Sequence, residues 1–144
     1  MDMMALFAIL IMTIPEGPSP YYKELHSVDN QIIFWDGTLF GWVPLVDKEI
    51  EEKYRKFTRD PLFYLALYDL LQDEKRFAIA HVLLTRFVKR VPGVDFGEKV
   101  PSHWFGLRLA VGADGKVYYP HPQRQMRFLR AYWKRVLREN KLLP

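Results

Sequence analysis

Two stretches of the chain carry the apolar and turn residues of β-hairpins. Residues 31–43 are rich in aromatic and β-branched side chains and are interrupted by Asp36-Gly37, a pair typical of the type I′ turn. We expect Pro44 to end the second strand, because proline has no N–H for the ladder. Residues 104–119 combine an alternating apolar run with a Gly-Ala-Asp-Gly turn at 112–115. The pattern therefore predicts two hairpins.

Most of the remaining chain has helical patterning. Residues 48–57 predict a surface helix in which three glutamates each precede a lysine or arginine by four positions. Asp60-Pro61 marks a helix start, with a capping carboxylate before a proline at the first helical position. We interpret residues 61–89 as two helices broken near 72–74, since a single helix of about 29 residues would be unusually long. A last helix is predicted over residues 122–139.

The predicted order of elements is hairpin, three helices, hairpin and helix, which indicates the α+β class rather than a wound parallel sheet. Because a lone hairpin is only marginally stable, we expect the two hairpins to join into one antiparallel sheet of about four strands, covered by about four helices. The chain has 144 residues, of which 49% are hydrophobic, enough for the core of one domain. We place that domain at residues 21–144, after an N-terminal arm at residues 1–20.

The first residues need a separate interpretation. The run from Met3 to Met12 is entirely apolar but has only ten residues, whereas a membrane-spanning helix needs about 20. Its only nearby charge is Asp2 and no cleavage pattern follows, so it does not fit a secretory signal. Two hypotheses remain: a first strand or short helix buried against the domain, or an over-extended gene start with the true start at Met12. We favour the second, because the proline-rich residues 15–20 are typical of an N-terminal arm.

The composition and the absence of known motifs exclude several kinds of catalytic and metal site. The chain has no cysteine, which excludes disulfides, thiolate metal sites and cysteine nucleophiles. The Gly-x-Ser-x-Gly, His-Glu-x-x-His and Gly-x-Gly-x-x-Gly signatures are all absent from the sequence. We therefore expect no metal and no cofactor, and we favour a non-enzymatic binding module in the cytoplasm over an enzyme.

Charge is distributed unevenly along the chain, whose formal net charge is +4. Residues 1–100 hold 12 Lys and Arg against 15 Asp and Glu, a balance of −3, whereas residues 101–144 hold 9 against 2, a balance of +7. On a helix over 122–139 the apolar positions share one face and a basic stripe lies beside them, with the acidic Glu139 outside the stripe. The stripe consists of Arg124, Arg127, Arg130, Lys134, Arg138 and Lys141.

A stripe of one sign differs from the mixed charges of residues 48–57 and predicts an anionic partner. Nucleic acid and an acidic protein surface are the favoured partners, because arginine binds phosphates and carboxylates bidentately. An anionic membrane surface is less favoured. The alternative is a stripe that is merely solvated. A partner requires the stripe to be exposed and not paired with the glutamates of residues 49–52.

Histidines supply the alternative function, a small enzyme or ligand-binding domain with a pocket near the second hairpin. His103 and His121 lie at loop ends on the two sides of that hairpin, and would approach each other if its strands paired along their length. Arg108 is a further candidate for the pocket. His81 falls on the apolar face of its helix, where we interpret it as a buried, hydrogen-bonded histidine more readily than as a general base.

Overall fold

A buried central helix organises the computed structural model, which describes residues 20–38, 41–94 and 103–144. Its α-helices are α1 (Tyr22–His26), α2 (Lys48–Arg55), α3 (Pro61–Leu70), α4 (Phe77–Phe87) and α5 (Pro122–Glu139), with a 3-10 turn at Asn30–Ile32. Its strands are β1 (Phe34–Thr38), β2 (Gly41–Leu45), β3 (His103–Trp104), β4 (Leu107–Arg108), β5 (Ala110–Val111) and β6 (Val117–Tyr118). The predicted α+β class is confirmed.

The strands form three separate antiparallel pairs, β1–β2, β3–β4 and β5–β6. Within the described residues no ladder joins one pair to the next, so the predicted single sheet is instead split into hairpins. Side-chain hydrogen bonds hold the hairpins together: the Trp35 indole N–H on β1 donates to the Tyr119 hydroxyl after β6, at 3.0 Å. Tertiary contacts of this kind replace the sheet that the marginal stability of lone hairpins led us to expect.

The second hairpin region divides because the chain folds back at Phe105-Gly106. Both residues have positive φ, 47° and 98°, the conformation that a two-residue I′ turn requires. A Cβ atom at Gly106 would lie 2.7 Å from Cε1 of Phe128, so glycine is also needed for the close approach of that ring. Phenylalanine is not a typical residue at positive φ. The alternating pattern therefore predicted one long strand where there are three short ones, β3, β4 and β5.

The first hairpin forms, but its register differs from the prediction. Asp36-Gly37 lies inside β1, and the ladder extends as far as the pair formed by Thr38 and Gly41. Gly37 pairs with Trp42 across the ladder, and the nearest ring carbon of Trp42 lies at an ordinary contact distance, 3.6 Å, from the position of an added Cβ. Pro44 pairs with Trp35 within the ladder instead of ending the strand. A two-stranded pair consists only of edge strands, where proline is tolerated.

The helix starts follow the carboxylates in the sequence. Asp47 accepts hydrogen bonds from two backbone N–H groups in the first turn of α2, at 2.9 and 3.4 Å. Asp60 accepts one from the first turn of α3, at 3.0 Å. Such caps satisfy N–H groups that have no partner inside the helix. The predicted break within residues 61–89 is confirmed, although it is longer than expected, from Leu71 to Arg76.

The core lies around α4. Every residue from Phe77 to Leu84 is at most 1% exposed. Helix α5 contributes four side chains with no exposure at all, those of Leu129, Trp133, Val136 and Leu137. Burial of this size holds one face of α5 against the core and leaves the opposite face outward.

Two predictions concern residues that the structure does not describe. The apolar run from Met3 to Met12 and most of the loop predicted before the second hairpin fall within residues 1–19 and 95–102. The hypotheses about the start of the chain therefore stay predictions. None of the described helices is long and apolar enough to span a membrane.

Candidate functional site

The inner face of α5 meets α4 at a hydrogen-bonded histidine. His81 is fully buried, and Trp133 donates its indole N–H to Nδ1 of His81 at 2.8 Å. The other ring nitrogen, Nε2, lies 2.7 Å from the carbonyl oxygen of Trp104 on β3. Since Nδ1 accepts, the proton belongs on Nε2, which donates to that carbonyl. One side chain thus connects α4, α5 and β3.

Burial lowers the pKa of His81 to about 4, while the hydrogen bond to the Trp104 carbonyl acts in the opposite direction. The imidazole is therefore neutral near pH 7, with both nitrogens already bonded inside the protein. Trp104 is held a second time by α4, because its indole N–H donates to the Thr85 hydroxyl at 3.1 Å. These bonds fix the second hairpin and α5 to the central helix.

The outward face of α5 is cationic and open to solvent. We call those cations of the predicted stripe that are exposed, including the lysine just beyond the helix end, the basic face. The basic face consists of Arg124, Arg127, Lys134, Arg138 and Lys141. It extends over about 25 Å, since each helical residue advances about 1.5 Å. The exposure that an anionic partner requires is thus present for these five residues.

Acidic side chains elsewhere in the chain pair with other cations. Glu51 on α2 lies 3.8 Å from Arg55 and 3.5 Å from Arg86. Over the described ranges, the ion pair found on α5 itself joins Arg135 to Glu139 at 4.0 Å, beside the basic face. No ion pair in those ranges connects α2 to the basic face. The glutamates of residues 49–52 therefore do not neutralise the predicted stripe.

Arg130 belongs to the predicted stripe but not to the open surface. It is half-buried, with its guanidinium carbon 4.8 Å from the centre of the Tyr68 ring on α3. Its Nη1 atom is buried without a hydrogen-bond partner in the part of the chain that is described. The arrangement is a cation–π contact that joins α5 to α3. We therefore leave Arg130 out of the basic face.

A cavity of about 190 Å³ lies at the first turn of α5. It is lined by Arg108 of β4, by His121 just before the helix, and by Arg124 of the basic face. Phe128, one turn further along α5 and 40% exposed, also lines it. Cationic or titratable groups from two elements thus converge on one concave surface.

A buried glutamine fixes the backbone around this cavity. Gln125 is only 6% exposed, and its Oε1 accepts from the Arg108 backbone N–H at 2.7 Å. Its Nε2 donates to the carbonyl oxygens of Arg108 and Pro120, at 3.1 and 2.8 Å. Both N–H donors and the oxygen of the amide are thus hydrogen-bonded to backbone groups. It holds β4 and the residue before His121 at fixed positions relative to α5.

The two candidate histidines of the alternative function do not line the same cavity. The predicted approach depended on pairing along one long hairpin, whereas the fold-back pairs His103 with Arg108. His103 Nδ1 accepts from the Gly106 N–H at 3.4 Å, and burial together with the charge of Arg108 lowers the pKa of His103. His121 is exposed and lines the cavity. In the described ranges no group of three His, Asp or Glu residues is placed to hold a metal ion.

Four of the residues that line the cavity were not among the predicted site residues: Gly106, Pro120, Gln125 and Phe128. Gln125 carried a signal in the sequence, because it is a polar residue on the apolar face of the last helix. Phe128 carried no signal in the sequence that distinguishes it from an aromatic residue of the core. No known protein family, curated protein or solved structure matches this chain. Its function is therefore argued from the geometry of α5 and its surroundings.

Proposed function

We propose that this protein binds nucleic acid through the basic face of α5, which contacts the phosphate backbone. The observation that carries the proposal is a row of exposed cations that includes no acidic residue. It lies on a helix whose opposite face is buried. Because the inner face is fixed, the helix holds the row in place before any partner arrives. Preorganised positive charge is what sequence-independent binding to phosphates requires.

The size and composition of the basic face favour nucleic acid over an acidic protein. Its length of about 25 Å corresponds to about seven steps of duplex DNA, in which each strand carries a phosphate every 3.4 Å or so along the axis. Interfaces between proteins have an apolar, often aromatic, centre. Between the cations of this face lies the small side chain of Ala131. A cytoplasmic location, also part of the proposal, makes RNA an available partner.

The proposal is tested with a triple variant, Arg127→Gln, Lys134→Gln and Arg138→Gln. It leaves out Arg124, which also lines the cavity, and Arg130, which packs on Tyr68. The matched control replaces three exposed cations of other regions, Lys56, Arg59 and Lys75, with glutamine. Both variants lose the same net charge, so a difference between them reports the position of the charges.

Binding of labelled duplex DNA and single-stranded RNA is measured by fluorescence anisotropy across a salt series. We expect the logarithm of the affinity to fall linearly with the logarithm of salt concentration, and the slope to decrease by about 0.9 for each duplex contact removed. The control should retain the wild-type slope. Equal losses in the two variants, or no binding by the wild type, would contradict the proposal. Binding to poly-glutamate but not to nucleic acid would assign the basic face to an acidic protein instead.

A further inference from the structure

The cavity at the start of α5 differs from the rest of the basic face in how its charges are arranged. Along the helix the cations point outward one by one, whereas Arg108, His121 and Arg124 line a single cavity of about 190 Å³. Arg124 belongs to both, so the cavity lies at one end of the basic face. A ligand group bound here would meet several donors together.

The cavity is built from rigid parts. The Gln125 side chain accepts a hydrogen bond from the backbone N–H of Arg108. It also donates hydrogen bonds to the backbone carbonyls of Arg108 and Pro120. His121 has a φ of 49°, in the left-handed region that histidine, like asparagine and aspartate, adopts more often than other residues except glycine. An added Cβ at Gly106 would lie 2.7 Å from the Phe128 ring, so a larger residue there would displace the ring. The wall positions are thus set by the fold, while the charged ends remain exposed.

We infer that this cavity binds a phosphate monoester. A monoester carries a charge of about −1.5 to −2 near pH 7 and three acceptor oxygens, whereas a phosphate within a strand carries a single charge. Two guanidinium groups and an imidazole offer hydrogen bonds to such an oxygen-rich group, and arginine binds it bidentately. The ring of Phe128, which is 40% exposed, adds an apolar surface at the cavity edge.

Two sources supply this chemistry: the terminal phosphate of a nucleic-acid strand, or a free mononucleotide. The first rests on the proposed function, because Arg124 connects the cavity to the face along which a strand would lie. A strand that ends at the cavity would place its terminal monoester there and its internal phosphates along α5. The second source does not depend on strand binding.

The test uses a double variant, Arg108→Gln and His121→Asn. Asparagine tolerates the left-handed backbone at position 121. Gln125 binds the backbone of Arg108 rather than its side chain, so the clamp is retained. The triple variant of the basic face serves as the matched comparison, because it leaves every cavity residue in place.

One arm measures binding of a short labelled single strand with a 5′-phosphate, a 3′-phosphate or hydroxyl groups at both ends. We expect the wild type to prefer one terminal phosphate by about tenfold, as for a charged hydrogen bond. The double variant should lose this preference yet bind the hydroxyl strand as the wild type does. The triple variant should bind all strands more weakly and keep the preference.

The other arm titrates adenosine 5′-monophosphate into the protein by calorimetry, with adenosine as its control.

The outcomes separate the two claims. A terminal-phosphate preference that the double variant loses supports the strand end as the source. Equal strand affinities, with binding of the monophosphate but not of adenosine and its loss in the double variant, support a free mononucleotide. Equal strand affinities without monophosphate binding overturn the inference and leave the proposed function intact. If no strand binds at all, the proposed function fails, and the monophosphate titration alone decides the inference.

Discussion

The two faces of α5 use their polar groups in opposite ways. On the inner face, the Trp133 indole and the Gln125 amide are buried and hydrogen-bonded to His81 and to backbone groups. On the outward face, the cations are exposed and do not pair with the acids of α2. A buried polar group without a partner is costly, whereas an exposed charge contributes little to stability. The inner face therefore fixes the fold, and the outward face is open to a partner.

Helix α2 shows that a surface helix of this chain does not need charges of one sign. Its lysines and arginines alternate with glutamates, and Glu51 pairs with both Arg55 and Arg86. Mixed charges of that kind suffice for solubility. Helix α5 instead carries Glu139 as its single acid. If the two faces of α5 differ as described, inner-face variants should change stability, and outward-face variants should change binding.

The largest effect on stability is expected for His81→Leu. The substitution places an apolar side chain of moderate size in the core and removes the partners of the Trp133 indole N–H and the Trp104 carbonyl. Each orphaned buried group costs about 1 to 3 kcal/mol, so we expect a loss of about 4 kcal/mol in the free energy of unfolding. Urea denaturation measures it. A loss below about 1 kcal/mol would show that the network is not needed for stability.

Acid should weaken the same network. The folded pKa of His81, about 4, lies below its ordinary value of 6.5, so the unfolded chain takes up this proton first as the pH falls. Neutral His81 therefore contributes to the free energy of unfolding above pH 6.5. This contribution, about 3 kcal/mol in all, is lost progressively as the pH falls to 4. Urea denaturation at a series of pH values measures this loss. His81→Leu, which has no imidazole, is the control and should lack this part of the acid sensitivity.

A smaller loss of stability is expected for Gly106→Ala. The new Cβ would lie 2.7 Å from the Phe128 ring, and φ at this position is 98°. Positive φ and the close contact together should cost about 2 kcal/mol. Because only the contact involves Phe128, a double variant with Phe128→Ala should recover part of the loss, which a double-mutant cycle measures. Strictly additive losses would indicate that backbone strain accounts for the whole effect.

The sequence predicted the elements of this fold better than their pairing. Carboxylate caps at Asp47 and Asp60 act locally, through backbone groups two or three residues away, so they could be predicted. The register that pairs Gly37 with Trp42, and the close approach of Phe128 to Gly106 at the fold-back, could not be predicted in this way. Such contacts join residues that only the tertiary structure brings together, and no periodicity in the sequence encodes them.

The candidate site, too, could be predicted only in part. Five of the predicted cations are exposed, because a helical stripe follows from spacing alone once one face is buried. Arg130 lies at the border of the stripe, and only the presence of the Tyr68 ring decides that it packs inward. The cavity beside His121 requires β4 and α5 to be adjacent, which the predicted long hairpin did not anticipate.

The smallest effect on stability is expected where the effect on binding is largest. Arg127→Gln, Lys134→Gln and Arg138→Gln replace exposed side chains on the outward face, so the free energy of unfolding should change by no more than about 0.5 kcal/mol. Because the removed charges repel one another in the wild type, a slight gain in stability is consistent with the same argument. Urea denaturation beside the salt-dependent binding assay compares the two quantities in one protein. A loss of several kcal/mol would mean that the outward face stabilises the fold as the inner face does, and weakened binding could then no longer be attributed to the removed charges.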